Sequence, residues 1–284
     1  MNNYDSLKNC KLFLFDMDGT LYLGDNVFEG AVELMEDLPS LGYQYIYLTN
    51  NSSRAGSDYI PRLKRLGFPC EKENVFSSGM AVGMFLRQNC PEARVYLLGT
   101  EAFRKELLGY GIHLVEDDSM TCTGSVYERD LSSLGTVDVV VVGFDTELVY
   151  EQLNKACHYL RKGARFIAAN PDYVCPMPND EVLPDCGSIC ALLTNATGRV
   201  PEYIGKPNRN MIDVISLMTN IPNEKICAVG DRLYTDIAVA QNAGAVSLLV
   251  MSGETTQEMA AAADRKPDYI LKDVHELHRI LKGE

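Results

Sequence analysis

The chain has 284 residues, 46% of them hydrophobic, which is enough for roughly two domains with buried cores and excludes a disordered chain. Lys and Arg total 26 against 39 Asp and Glu, a formal net charge of −13, which repels a phosphodiester backbone and excludes general binding of a nucleic acid polymer. Any anionic ligand must therefore be held locally, by a cation and a few placed donors that outweigh the global field at short range. Nine cysteines, an odd count with no CxxC pair, fit a reducing, cytoplasmic setting. The apolar run Leu12 to Phe15 ends in Asp16, and Val139 to Phe144 is far short of the roughly 20 residues of a membrane span, so neither a leader nor a membrane partner is expected.

In chain order, a strand is expected at Lys11 to Phe15, a helix near Phe28 to Leu41, a strand at Gln44 to Thr49 and a helix near Ser53 to Leu66. Gly42 and Gly67 follow the last apolar residues of these helices as C-terminal punctuation, and Ser52 or Ser53 can cap the second one. The middle of the chain carries its own strands at Arg94 to Leu98, Val137 to Val142 and Arg165 to Ala168, with helices near Glu101 to Leu108 and Leu148 to Arg161. The last third returns to the opening rhythm: Ile226 to Val229, a helix from about Thr235 to Ala243 closed by Gly244, Val246 to Val250, and a helix near Asp273 to Leu281. Alternation of this kind predicts an α/β fold with a doubly wound parallel-sheet core. We expect that core at residues 1–80 and 183–284, interrupted by an inserted α/β domain at 81–182, with Asn170 to Cys186 carrying the return hinge.

Four strand ends carry polar chemistry. The first runs into Asp16-Met-Asp-Gly-Thr20, two carboxylates at the C-terminal end of a buried strand, where open α/β sheets bind ligands. If the backbone stays extended through Met17, Asp16 and Asp18 face the same side, and Gly19 lets the chain leave sharply. Two such neighbours repel and raise one pKa unless a divalent cation is bound, which suits one of them to general acid work; the same residues also make an ordinary solvated turn. The second strand ends in Thr49-Asn50-Asn51-Ser52 before a helix, either an anion cradle or a simple polar cap. Lys206, set between Gly205 and Pro207, reads alone as a surface lysine, and Gly230-Asp231 followed by Asp236 reads as a strand end with a further acid, which by itself fits a helix N-terminus. Cys186 and Cys190, four apart on an expected helix, have no second pair to complete a zinc site.

Taken together, DMDGT at 16–20, TNNS at 49–52, GKP at 205–207 and GDRLYTD at 230–236 resemble the haloacid-dehalogenase-like (HAD) phosphohydrolases over essentially the whole chain. The size and position of the insertion, with Gly143-Phe144-Asp145, Tyr150 and Asn170-Pro171-Asp172, are similar to the α/β cap of the class IIA branch, the NagD-like and 4-nitrophenylphosphatase-like proteins. The resemblance implies a Mg²⁺-dependent phosphomonoesterase acting on a small phosphorylated metabolite such as a nucleoside monophosphate, a sugar phosphate or phosphoglycolate. It implies Asp16 as the nucleophile that becomes an aspartyl phosphate and Asp18 as acid, then base. Thr49 and Asn50 would hold phosphate oxygens and Lys206 would neutralise charge. Mg²⁺ would be held by Asp16, the Asp18 carbonyl and Asp231, with Asp236 close behind, orienting metal-bound water or Lys206. From the cap, Tyr150, Asn170 and Asp172 are the candidate substrate-reading residues, while Cys175 to Pro178 and Asp185 to Ser188 depart from the glycine-rich return typical of the branch. Arg232 is expected to be exposed. Related proteins pair through the cap, which extends the expectation of a homodimer to this chain. A haloacid dehalogenase would lack the acid at position 18; a phosphotransferase or mutase, and a noncatalytic phospholigand-binding protein, remain the alternatives on this fold.

Overall fold

The computed structural model describes residues 4–119, 130–177 and 181–284. In chain order its strands are β1 (Leu12–Phe15), β2 (Tyr22–Leu23), β3 (Asn26–Val27), β4 (Gln44–Thr49), β5 (Val75–Ser77), β6 (Arg94–Leu98), β7 (His113–Leu114) and β8 (Val139–Val142). They continue with β9 (Arg165–Ala168), β10 (Val174–Pro176), β11 (Val182–Pro184), β12 (Glu202–Tyr203), β13 (Ile226–Gly230), β14 (Val246–Val250) and β15 (Tyr269–Leu271). By its contacts the chain divides into one unit of Met1–Thr49, Ser57–Phe76 and Lys206–Glu284, and another of Asn50–Gly56 and Ser77–Gly205.

The first unit is built on a six-stranded sheet in the order β15-β14-β13-β1-β4-β5. Every residue of β1 is buried, as a central parallel strand covered on both faces demands. Period two sorts its neighbours: Phe13, Phe15, Tyr47, Val229, Leu248 and Val250 join one core cluster, while Leu249 packs on the other face with Ile237 and Ala260. Helices Ala31–Asp37 and Val274–Lys282 close the larger face, joined by His278 Nε2 to Asp37 Oδ2 at 2.9 Å. The helix expected over Phe28 to Leu41 is shorter, because Gly30 takes a left-handed conformation immediately before it and Pro39 follows its end. β1 pairs in parallel with β13 on one side and β4 on the other, Phe15 lying opposite both Val229 and Tyr47. The chain leaves β1 for β4 on one side, whereas it leaves β13, on the other side of β1, for β14 in the opposite direction, so the topological switch point of the sheet lies at the C-terminal ends of β1 and β13.

The second unit has its own five-stranded parallel sheet, β12-β9-β8-β6-β7, centred on the fully buried valines of β8. Helix Ser78–Asn89 was not legible, since Gly79 and Gly83 weaken its propensity; a Cβ on Gly79 would meet the Glu106 carboxylate and crowd the Phe103 ring, and one on Gly83 would run into the ring of Tyr110, so packing supplies what propensity does not. The return to the first unit was expected near 183. Instead helix Cys186–Thr197 packs against helix Tyr150–Arg161, β12 pairs with β9, and the chain leaves this unit at Lys206. The expected hinge folds as the antiparallel hairpin β10–β11; Pro178 lies outside the described residues. Cys186 and Cys190 are buried with their Sγ atoms 4.0 Å apart, and among the described residues no third metal-ligating group joins them. No helix of the described residues is long and apolar enough to cross a membrane.

Candidate active site

Three adjacent parallel strands, β13, β1 and β4, end together, and the residue after each end is polar. The Asp16 amide continues the ladder, donating to Val229 O at 2.9 Å, so the chain stays extended past Phe15. Met17 is buried in the core while Asp16 is half-buried and Asp18 exposed, the alternation that places both carboxylates on the side away from the core. Gly19 then turns the chain with φ +87°, and a Cβ there would lie 2.6 Å from Asp231 Oδ2. Only glycine satisfies both the turn and that approach.

Lys206 is the hub. Its ammonium, nearly inaccessible to solvent, donates to Asp16 Oδ1 and to Asp236 Oδ1 at 2.6 Å each and to Leu48 O at 3.4 Å. Burial alone would depress its pKa, but Asp16 and Asp236 outweigh burial and raise it, so the amine stays charged. Asp236 reaches Lys206 because residues Leu233–Ile237 form a π-helical turn in which the Asp236 and Ile237 amides both donate to Arg232 O. Its second oxygen accepts from Arg232 N at 3.1 Å, and Gly230 makes the room, since a Cβ there would collide with the Asp236 side chain.

Asp231, buried beside Gly19, accepts from Glu254 N at 2.7 Å and from Thr20 Oγ1 at 3.3 Å. Burial, and then the charge of Asp236, push its carboxyl up to about 6. Burial and Asp236 also raise Asp16, against the pull of Lys206. Carboxylate oxygens of Asp16, Asp231 and Asp236 lie within 4.8 Å of one another. Three carboxylates against one ammonium leave about two uncompensated negative charges in a buried site, a hard-oxygen set suited to a divalent cation. Sequence reasoning missed Thr20, Ser252 and Glu254 as supports; Ser252 Oγ donates to Gly19 O at 2.8 Å. The signal available was, for Thr20, its place in the turn after β1 beside Gly19 and, for Ser252 and Glu254, their place in the loop after β14, the next strand of the same edge. Arg232 is not exposed as expected: its side chain is 16% accessible and its Nε lies 2.9 Å from Glu254 Oε2.

Thr49, the last residue of β4, is buried within the first unit, whereas Asn50 begins the segment that belongs to the second. Within the second unit, Asn50 Nδ2 donates to Asp172 Oδ2 at 3.0 Å and Asn170 Nδ2 donates to Asn50 O at 2.7 Å. Asn170 and Asp172 are thus buried and turned toward Asn50, while Tyr150 is 69% exposed at the start of its helix. Asp185 caps helix Cys186–Thr197, and Gly187 sits against the carbonyls of Pro171 and Asp172, where a Cβ would not fit.

Comparison with known proteins agrees with this architecture. Residues 13–113 match the family model described as haloacid dehalogenase-like hydrolase, and residues 203–277 match a second, HAD-hydrolase-like model. The chain is 31% identical over 269 residues to an acid sugar phosphatase of Staphylococcus haemolyticus, covering 95% of both proteins. Among solved structures it superposes on a 4-nitrophenylphosphatase from Thermotoga maritima with TM-score 0.86 and 38% identity, covering 96% of this chain and 98% of that one. It superposes on a glycerol phosphate phosphatase from Mycobacterium tuberculosis in complex with magnesium with TM-score 0.83 and 31% identity, covering 96% and 78%. The chain belongs to the haloacid dehalogenase-like hydrolases, in their class IIA branch, and is a phosphatase of that family.

Proposed function

We propose that the protein hydrolyses the phosphomonoester of a small metabolite in two displacements, with Asp16 carrying the phosphoryl group between them. Asp16 attacks phosphorus through the oxygen not engaged by Lys206, the bond from phosphorus to the ester oxygen breaks, and Asp18 gives its proton to the leaving alkoxide. Water then attacks the aspartyl phosphate, Asp18 takes the water's proton, and the bond from phosphorus to Asp16 breaks, restoring the carboxylate and releasing phosphate. Thr49 and Asn50 hold the nonbridging oxygens, and Lys206 offsets the charge that gathers there. Asp236 holds the lysine in place and keeps it protonated.

Asp16, the Asp18 carbonyl and Asp231 are the residues we assign to a Mg²⁺ ion, which when bound neutralises charge on the phosphate and on the acidic cluster. In this reading Asp236 stands outside that set and orients Lys206, whose ammonium donates to its Oδ1 at 2.6 Å. The single observation that carries the proposal is the Lys206 ammonium held 2.6 Å from both Asp16 and Asp236 at the switch point of the sheet. Selection of the leaving group we assign to the inserted second unit. Relatives of this chain are named for sugar, 4-nitrophenyl and glycerol phosphates, which fits machinery that handles only the phosphate, the part these esters share.

The test is phosphate release from a panel of phosphorylated metabolites with and without Mg²⁺, run beside Asp16→Asn. Release that needs Mg²⁺ and falls by more than about a thousandfold in the variant, with an unchanged melting transition, is the expected result. Undiminished turnover by Asp16→Asn would refute the covalent route, and transfer of phosphate to an organic acceptor in place of water would favour the phosphotransferase reading.

A further inference from the structure

The segment Asn50–Gly56 belongs to the second unit, and a set of buried polar contacts fixes its first residues there. Asn50 O accepts from Asn170 Nδ2 at 2.7 Å and from Ser78 Oγ at 2.5 Å. Its carboxamide nitrogen donates to Asp172 Oδ2 at 3.0 Å, and its Oδ1 lies where a Cβ on Gly205 would come within 2.7 Å. Asn170 is fully buried and also accepts the Asp172 amide at 3.0 Å, so the two residues brace one another as well as Asn50. Two residues further on, Ser52 Oγ accepts from Phe144 N at 2.9 Å, and Thr100 Oγ1 donates to Ser53 O at 2.8 Å. These partners all follow the C-terminal ends of β6, β8 and β9, or start helix Ser78–Asn89. Loops at one edge of this parallel sheet therefore converge on the segment that carries Asn50.

A primary amide has two N–H donors in one plane, and an anionic acceptor on one of them fixes that plane and strengthens the contact. We propose that Asp172 and Asn170 are positioning residues for Asn50, setting the orientation in which it meets the phosphate, and do not read the leaving group. This rests on the assignment of Asn50 to the phosphate. The consequence is specific: loss of Asp172 weakens the handling of every phosphate ester by the same factor, because the phosphate is their common part.

The experiment compares full-length wild type, Asn50→Ala, Asp172→Ala, Asp172→Asn and the Asn50→Ala/Asp172→Ala double variant in Mg²⁺, with 4-nitrophenyl phosphate and glycerol phosphate as substrates and inorganic phosphate as inhibitor. Asp172→Ala is expected to lose about tenfold in kcat/KM, equally for both esters, with a similar rise in the inhibition constant of inorganic phosphate. Asp172→Asn, which keeps an acceptor oxygen, is expected within about threefold of wild type, and it keeps the test open if the alanine variant does not fold. In the Asn50→Ala background the further loss from Asp172→Ala is expected to be under about twofold, since its effect runs through Asn50. A loss that differs between the two esters while phosphate inhibition is unchanged, or a full additive loss in the double variant, overturns the inference alone. Wild-type rates in Asn50→Ala overturn the assignment of Asn50 to the phosphate, and this inference with it.

Discussion

Asp231 shows how a single buried acid couples binding to stability. Burial raises its carboxyl from an ordinary 3.8 to about 6, with the charge of Asp236 adding to the effect. Between those values the folded, metal-free protein holds a proton that the unfolded chain has released, so this group's contribution to stability falls as pH rises through that window. Above it Asp231 is a buried anion facing two others, and a cation that binds only the folded state recovers the lost stability. We therefore predict that, in metal chelator near pH 7.5, Asp231→Asn melts about 3 °C above wild type, that the gap closes toward pH 4, and that Mg²⁺ raises the melting temperature of wild type but not of the variant. The variant can keep its amide oxygen on Glu254 N while its nitrogen turns to the Thr20 hydroxyl. Equal Mg²⁺ shifts in both proteins would remove Asp231 from the cation site. The sequence identified this residue as the end of a strand, but nothing in it said that Gly19 packs against the carboxylate or that the loop after β14 closes over it.

At the scale of elements, the hairpin β2–β3 begins where Asp18 ends. Gly19 N donates to Tyr22 O at 2.8 Å, and Asp18 bridges to Tyr22, so the direction of the acid depends on the hairpin. Arg62, on helix Gly56–Arg65, hooks that hairpin by donating to Gly24 O at 3.0 Å while its guanidinium lies 5.2 Å over the Tyr22 ring. If Asp18 protonates the leaving group, its placement matters most for esters whose alkoxide is a strong base, and least for 4-nitrophenolate, which leaves without help. Arg62→Ala is thus predicted to lower kcat/KM for glycerol phosphate about fivefold and to change 4-nitrophenyl phosphate less than twofold, the same direction as Asp18→Asn but smaller. A uniform loss across the two esters would mean that Arg62 serves stability only. Neither the hairpin nor the π-turn of Leu233–Ile237 was legible in the sequence. Two-residue strands carry no periodicity, and the wide turn is held by Asp236 reaching Lys206, a contact 30 residues apart in sequence.

For the whole molecule, the order of strands and helices was readable because each buried run advertises its period, whereas the allegiance of a run to one sheet or the other was not. Helix Cys186–Thr197 and β12 look like core elements by pattern, and only their pairing with β9 and packing on Tyr150–Arg161 assign them to the second unit. That assignment predicts folding behaviour. All five strands of the second sheet lie within residues 77–205, roughly 130 residues and therefore domain-sized. The first sheet is instead assembled from both ends of the chain: β1, β4 and β5 precede the insertion, β13, β14 and β15 follow it, and β1 sits between a strand from each half. A fragment of residues 77–205 is expected to melt cooperatively with the far-ultraviolet signature of an α/β protein, although less stably than in the intact chain, because it lacks the segment held by Asn170, Asp172 and Thr100. Residues 1–76 alone leave Leu12 to Phe15 as an uncovered apolar edge and are expected to aggregate. If the longer fragment has no cooperative transition, the two units are one folding entity, and the boundary at Lys206 describes contacts without independent stability.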